Sequence, residues 1–228
     1  MTASTQATPG PRRTAQREKT RARLLEYGRR AFARRGHAAT NLKEDILLPA
    51  SVSVGSFYHQ FGDKTDLFLE ILEQHGSTFR QMVQEANQPR EGMSDEQIAR
   101  HSFETVFVIA EENEDLFRIM MRERESENDR VREFLREGRR GWTRGLMADY
   151  RNMLGEHGVA NKDLEMAAEL VQSMTFGTIV QFLEMAAEDR ERQRPQLIDG
   201  LVRFTLGGLA ALFGVEEPHP QRAAGKES

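Results

Sequence analysis

Residues Ser51–Phe68 read SVSVGSFYHQFGDKTDLF, and the period of this stretch decides the fold. Its first four residues alternate a small polar with a β-branched side chain, as a half-buried strand would. The alternation then fails, because Gly55 and Ser56 are followed by the adjacent aromatics Phe57 and Tyr58. A helical period accounts for the whole stretch: with Ser53 as N-cap, Val54, Phe57, Tyr58 and Phe61 fall at i, i+3, i+4 and i+7. The spacing predicts a short helix ending near Gly62. A second helix, capped by Asp63, carries the stripe Leu67, Phe68, Ile71 and Leu72 towards Phe79 and Val83.

Upstream, Leu24, Leu25, Gly28, Ala31 and Phe32 are spaced as one face of a helix running from Thr20 to Gly36. Thr40 is read as the cap of a short helix with Leu42 and Ile46 inward, stopped at Pro49. Three short helices, the last two joined by a tight turn and followed by a longer fourth, form the pattern of a helix-turn-helix head. Beyond a loop around Gly92, every segment is helical in period, with helices at about 95–112, 115–126, 128–156, 162–189 and 195–213. The expected fold is all-α: a disordered arm over 1–16, a DNA-binding head over 17–63, a helical ligand-binding and dimerisation body over 64–215, and a disordered tail over 216–228.

The chain has 228 residues, 38% hydrophobic and 30% charged, enough for one sizeable core with a small appended domain. It lacks a run of about 18 uninterrupted apolar residues, and its start, MTASTQATPGPRR, has no apolar stretch of the secretory kind. A cytoplasmic protein with no membrane partner is expected. The absence of cysteine excludes disulfides, thiolate metal sites and cysteine nucleophiles. Residues 1–60 hold eleven Lys and Arg against four Asp and Glu, a charge of +7; the total of −4 leaves −11 for the rest. A basic end on an acidic body suits contact with a polyanion, and charge alone fits a solvated helix face equally well.

Enzymatic signatures are missing. There is no Gly-rich phosphate loop, no His-Glu-x-x-His and no Gly-x-Ser-x-Gly, and the six histidines are scattered. Glu111, Glu112, Glu114 and Asp115 cluster at a helix end, where solvation accounts for them. No catalytic residue, metal site or cofactor is therefore expected.

Elementary geometry assigns roles within the head. Ser53, Val54, Gly55 and Ser56 begin the third helix, and the absent or short side chains at 55 and 56 let its N-terminus enter a major groove about 12 Å wide. Tyr58 and His59 can place a phenol and an imidazole on flanking phosphates. Lys64 adds a cation beside exposed amides, and Thr40 can serve similarly. The arm PRRTAQREK can reach into a minor groove or act as a solubilising tail. The run TNLKEDILLPASVSVGSFYHQFGDKTDLF resembles the DNA-binding head of the tetracycline-repressor (TetR) family, through Thr40, Ile46, Ala50, Val52, Ser53, Gly55, Ser56, Phe57, Tyr58, Phe61, Lys64 and Leu67. The resemblance implies base readout by the third helix and phosphate contacts by Thr40, Tyr58 and Lys64. Two departures stand out. Ser51 occupies the family's turn-glycine position, where a left-handed backbone would cost a Ser up to about 1 kcal/mol. The segment before Ile46 is also one residue longer than the family pattern.

In the body, segment 162–189 is apolar around nearly its whole circumference, which predicts neighbours on all sides. Gly200, Gly207 and Gly214 recur every seven residues in the last helix, with Gly208 and Ala211 beside them and Phe204 among the bulky residues. Small residues on one stripe admit a close partner helix, so these two helices are expected to pair with a second copy as a four-helix bundle, as the resemblance also implies. Phe103, Phe107, Phe117, Met121, Trp142, Met147, Tyr150, Met174 and Gln181 are the candidate lining of an adaptable pocket for a small hydrophobic effector. The run RERESENDRVREFLREGRR reads as a solvated helix face. Together these features describe a dimeric repressor of palindromic double-stranded DNA, released by its effector. The competing reading is an architectural DNA-binding regulator without an inducer.

Overall fold

A computed structural model describes residues 11–86, 92–154 and 159–214, and no strand occurs among them. The expected tail over 216–228 lies outside the described residues, as does most of the expected N-terminal arm. The helices are α1 (Pro11–Ala39), a π-helix (Leu42–Leu47), α2 (Val54–Tyr58), α3 (Lys64–Ala86), α4 (Asp95–Glu112), α5 (Glu114–Arg122), α6 (Asp129–Leu154), α7 (Asn161–Glu184) and α8 (Ala187–Phe213), with a single 3-10 turn (Glu123–Glu125) after α5. The chain divides into two compact units, one of residues 1–75 with 118–134, the other of 76–117 with 135–228.

The first unit is built on α1. This helix begins at Pro11, well ahead of the Thr20 expected from apolar spacing, so residues 11–16 of the expected disordered arm are helical. RRTAQREKT holds good helix formers, and proline suits a first helical position. Leu24, Ala31, Phe32, Leu67, Phe68 and Ile71 are buried, with Phe32 edge-on to Phe68 at 4.8 Å between ring centroids. Burial on this scale stabilises by about 1.5–3 kcal/mol per large side chain. α1 and α3 approach so closely that a Cβ on Gly28 would lie 3.0 Å from Ile71 Cδ1 and 3.1 Å from Leu67 Cδ2. Gly36 breaks α1 at φ 77°, with Arg122 and Glu123 packed against it.

Those two residues correct an expectation. The run containing Glu123, read as a solvated face, is partly structural: Glu123 is buried and accepts from the His37 backbone N–H at 2.6 Å, while Arg122 donates to the Ala33 carbonyl at 3.3 Å. Arg130 pairs with Asp63 at 3.1 Å and with Asp66. Helical spacing does not distinguish a solvated charge from one that satisfies a helix break elsewhere in the chain.

In the second unit α8 packs on α4 and α7, and α4 on α7. Phe107 meets Phe182 edge-on at 4.8 Å. Helices α4 to α6 begin and end close to the expected limits. The last break differs. It falls at Met185–Ala186, and Pro195 lies inside α8 instead of opening it. Arg190 accounts for the position, since its guanidinium donates to the Leu183 and Met185 carbonyls at the end of α7 and pairs with Glu114 at 3.3 Å. Arg194 likewise pairs with Glu111. Glu111 and Glu114 are thus held in ion pairs rather than merely solvated.

Candidate functional site

The turn before α2 is shaped by the two departures seen in the sequence. The extra residue before Ile46 is absorbed by π-helical winding over Leu42–Leu47, whose wider turn takes one more residue and still buries Ile46 and Leu47. Ser51 has φ 50°, the left-handed region that a glycine would occupy without strain. After it, Ser53 caps α2 by accepting from the Ser56 N–H at 3.1 Å.

α2 then divides its residues by face. Phe57 and Phe61 are buried and stacked at 5.6 Å, whereas Val54 is 48% exposed and Tyr58 57% exposed. Val54 and Tyr58 therefore leave the apolar stripe in which the spacing placed them. Ser53, Gly55 and His59 are exposed as well, and nothing lies within 4 Å of a Cβ built on Gly55. The end of α2 is tied to α1, where Arg17 donates to the His59 carbonyl at 3.2 Å and Gln60 Nε2 returns a bond to the Arg17 carbonyl at 3.0 Å. Arg21 lies over the Phe61 ring at 4.7 Å and pairs with Glu70. Part of the basic charge of α1 thus fixes the presenting surface in place.

Two residues assigned to phosphate contact stand differently. Thr40 is buried and donates its hydroxyl to the Gly36 carbonyl at 2.6 Å; the cap of the π-helix is Asn41, whose side-chain oxygen accepts from the Lys43 and Glu44 N–H groups. Lys64 Nζ donates to the carbonyls of His37 at 2.7 Å, Thr40 at 2.8 Å and Ala38 at 3.4 Å. It satisfies the broken end of α1, which Gly36 interrupts. Burial, ahead of any charge effect, lowers the Lys64 pKa. Thr40 and Lys64 nevertheless line one recess with Val54 and Tyr58, and the same recess holds Lys43, an exposed side chain that sequence reasoning missed. A cation three residues before the buried Ile46 was the available signal.

In the second unit, a cavity of about 360 Å³ is lined by residues of α3, α4, α6, α7 and α8. Of the candidate lining residues, Phe103, Trp142 and Tyr150 line it. The others do not. Phe107 and Phe117 are buried core residues, paired with Phe182 and Phe176. Met121 is in the first unit, Gln181 is exposed on α7, and Met147 and Met174 are half-buried away from the cavity. Periodicity identifies apolar residues but not which of them surround a void.

α7 is not buried on all sides. Met166, Leu170, Gly177 and Gln181 form an exposed stripe, with Leu170 58% exposed. On α8 Phe204 is 74% exposed, Gly208, Ala211 and Leu212 are exposed, and Gly200 and Gly207 are half-exposed. By length and composition alone α8 would pass for a membrane span. Its inner side, Ile198, Leu201, Val202 and Leu209, is nevertheless core. No group of three or more metal-ligating side chains forms among the described residues.

Residues 24–71 match the family described as "Bacterial regulatory proteins, tetR family". Residues 24–71 therefore carry a TetR-type head. Solved structures agree in fold. A transcriptional regulator from Pseudomonas aeruginosa aligns with a TM-score of 0.71 at 20% identity, over 86% of this chain and 93% of that one. A TetR-family transcriptional regulator from Pectobacterium atrosepticum aligns at 0.58 and 25% identity, over 85% and 95%. The fatty acid degradation regulator FadR from Bacillus halodurans aligns at 0.66 and 16% identity, over 89% and 98%. That family and these neighbours are transcriptional regulators, not enzymes, and DNA-binding regulation is the function that the head supports.

Proposed function

We propose that the chain is a dimeric repressor that reads a palindromic operator in the cytoplasm and lets it go on binding a small hydrophobic effector. The observation that carries the DNA side is the free face of α2: Ser53, Val54, Gly55, Tyr58 and His59 are exposed together, capped at one end and anchored at the other by Arg17. Ser53 to Ser56 read bases, Tyr58 and His59 meet phosphates, and Lys43 supplies the cation that Lys64 cannot spare. Thr40 and Lys64 act indirectly, by holding the π-helix against α1.

The dimer is supported by the exposed apolar faces of α7 and α8. Gly200 and Gly208 have nothing within 4 Å of an added Cβ, room that a partner helix can fill, with Phe204 and Ala211 alongside. A two-fold dimer presents its recognition helices about 34 Å apart, in successive major grooves. The cavity supports effector control over the architectural alternative, and α3, which like α5 and α6 runs from one unit into the other, is a covalent route by which occupancy changes helix spacing.

The test is binding to the DNA flanking the protein's own gene at physiological salt, against scrambled DNA of equal length. A preference of about a thousandfold or more is the expected result. Equal binding to both, collapsing as salt rises, would favour the architectural reading.

A further inference from the structure

Two hydroxyls stand out in the wall of the second unit's cavity. Tyr150 on α6 and Thr205 on α8 are 6% and 5% exposed, both line the void, and neither Tyr150 Oη nor Thr205 Oγ1 has a hydrogen-bond partner among the described residues. Buried hydroxyls are normally paired, and an unpaired one weakens the fold. Two such residues in the wall of one void mark a place where a guest can supply the partner.

The charge of the lining narrows the guest. Among the described residues no Lys, Arg or His lines the cavity, while Asp95 and Asp149 do. A carboxylate or phosphate entering here would lose its hydration, meet two like charges and find no cation. Neither aspartate calls for a guest cation: Asp95 sits in the first turn of α4, where the helix dipole compensates it, and Asp149 already interacts within the chain. Val83, Ile98, Phe103, Trp142 and Leu209 make the remaining wall largely apolar.

We infer that this cavity binds an uncharged, mainly apolar molecule with one oxygen function, such as a ketone or ester carbonyl, held by hydrogen bonds from Tyr150 Oη and Thr205 Oγ1. The inference rests on the effector-responsive reading above. Burial, followed by the nearby Asp149 charge, raises the Tyr150 pKa, so the phenol stays a donor across physiological pH.

Trp142, the chain's single tryptophan, lines the cavity and reports occupancy by its emission. The full-length protein is titrated with 2-decanone, decanoate and decylammonium, and release of fluorescent DNA is followed separately by anisotropy. The ketone should shift Trp142 emission saturably, with the two charged probes binding about tenfold or more weaker. Tyr150→Phe and Thr205→Val should each weaken ketone binding by roughly tenfold. Both ligand-free variants should melt no lower than the parent, since each loses only an unpaired hydroxyl. Decanoate or decylammonium binding as tightly as the ketone, no emission change with any probe, or undiminished ketone binding in both variants would overturn the assignment. Ketone binding that leaves DNA bound would uphold this site and refute effector control. Release by decanoate would uphold control and refute the site's chemistry.

Discussion

Replacing Lys64 by Met separates two roles that one lysine at the head of a helix could play. The ammonium donates to three backbone carbonyls, two at 2.7 and 2.8 Å and a third at 3.4 Å. Hydrogen bonds from a charged donor contribute about 1.5–3 kcal/mol each. The third bond is long, and water can reach the freed carbonyls, so Lys64→Met should cost about 2–3 kcal/mol of head stability in all. Methionine preserves the apolar stem, so the difference isolates the ammonium. Lys64→Arg should not restore it, because a flat guanidinium does not replace a point donor among three converging carbonyls. The assay pairs urea unfolding with DNA binding by anisotropy over a series of KCl concentrations. Removing one cation from the phosphate backbone flattens the slope of log K against log salt by about 0.9. Lys64→Met should weaken binding with the slope unchanged, whereas Lys43→Ala should flatten the slope with little effect on stability. A Lys64→Met protein of parental stability with a flattened slope would return Lys64 to the phosphate backbone and refute the capping role.

Phe204→Glu, which places a charge in the exposed stripe of α8, should leave each chain folded but shift sedimentation at micromolar concentration from dimer to monomer; a parental profile would remove this face from the interface. Ser51→Gly relieves a left-handed Ser at φ 50° and should stabilise the head by about 0.5–1 kcal/mol in urea, with any destabilisation counting against the strained turn. Burial makes His37 a weaker proton acceptor in the folded chain than in the unfolded one, reinforced by Lys64 and opposed by Glu123 and Asp63. His75 shifts the same way, by burial and then by Arg29. The unfolded chain therefore takes up protons first as pH falls through about 6.5, so stability is full above that value and declines below it until the folded-state values are passed. Urea midpoints at pH 7.5 and 5.5 should differ in that direction, and His37→Gln should reduce the difference; a flat profile would show the two sites to be unperturbed.

The amino-acid sequence by itself determined the all-α class, the helical reading of Ser51–Phe68 and the caps at Ser53 and Asp63. Each depends on neighbours within one or two turns, and local chemistry acts over that range. Even the two departures from the family pattern were legible, as an inserted residue and a Ser in place of Gly. Only the tertiary structure decided how those features are used. Whether Lys64 faces solvent or the broken end of α1 depends on the His37 carbonyl, 27 positions earlier on another helix. Thr40 turns inward on the same break, at the Gly36 carbonyl. Whether Glu123 is solvated or buried also depends on His37, which lies 86 positions before it. The cavity depends on five helices meeting imperfectly around Tyr150 and Thr205. Period and propensity report which residues avoid water. They carry no record of which pairs of buried groups, distant in the chain, find one another and which are left without a partner.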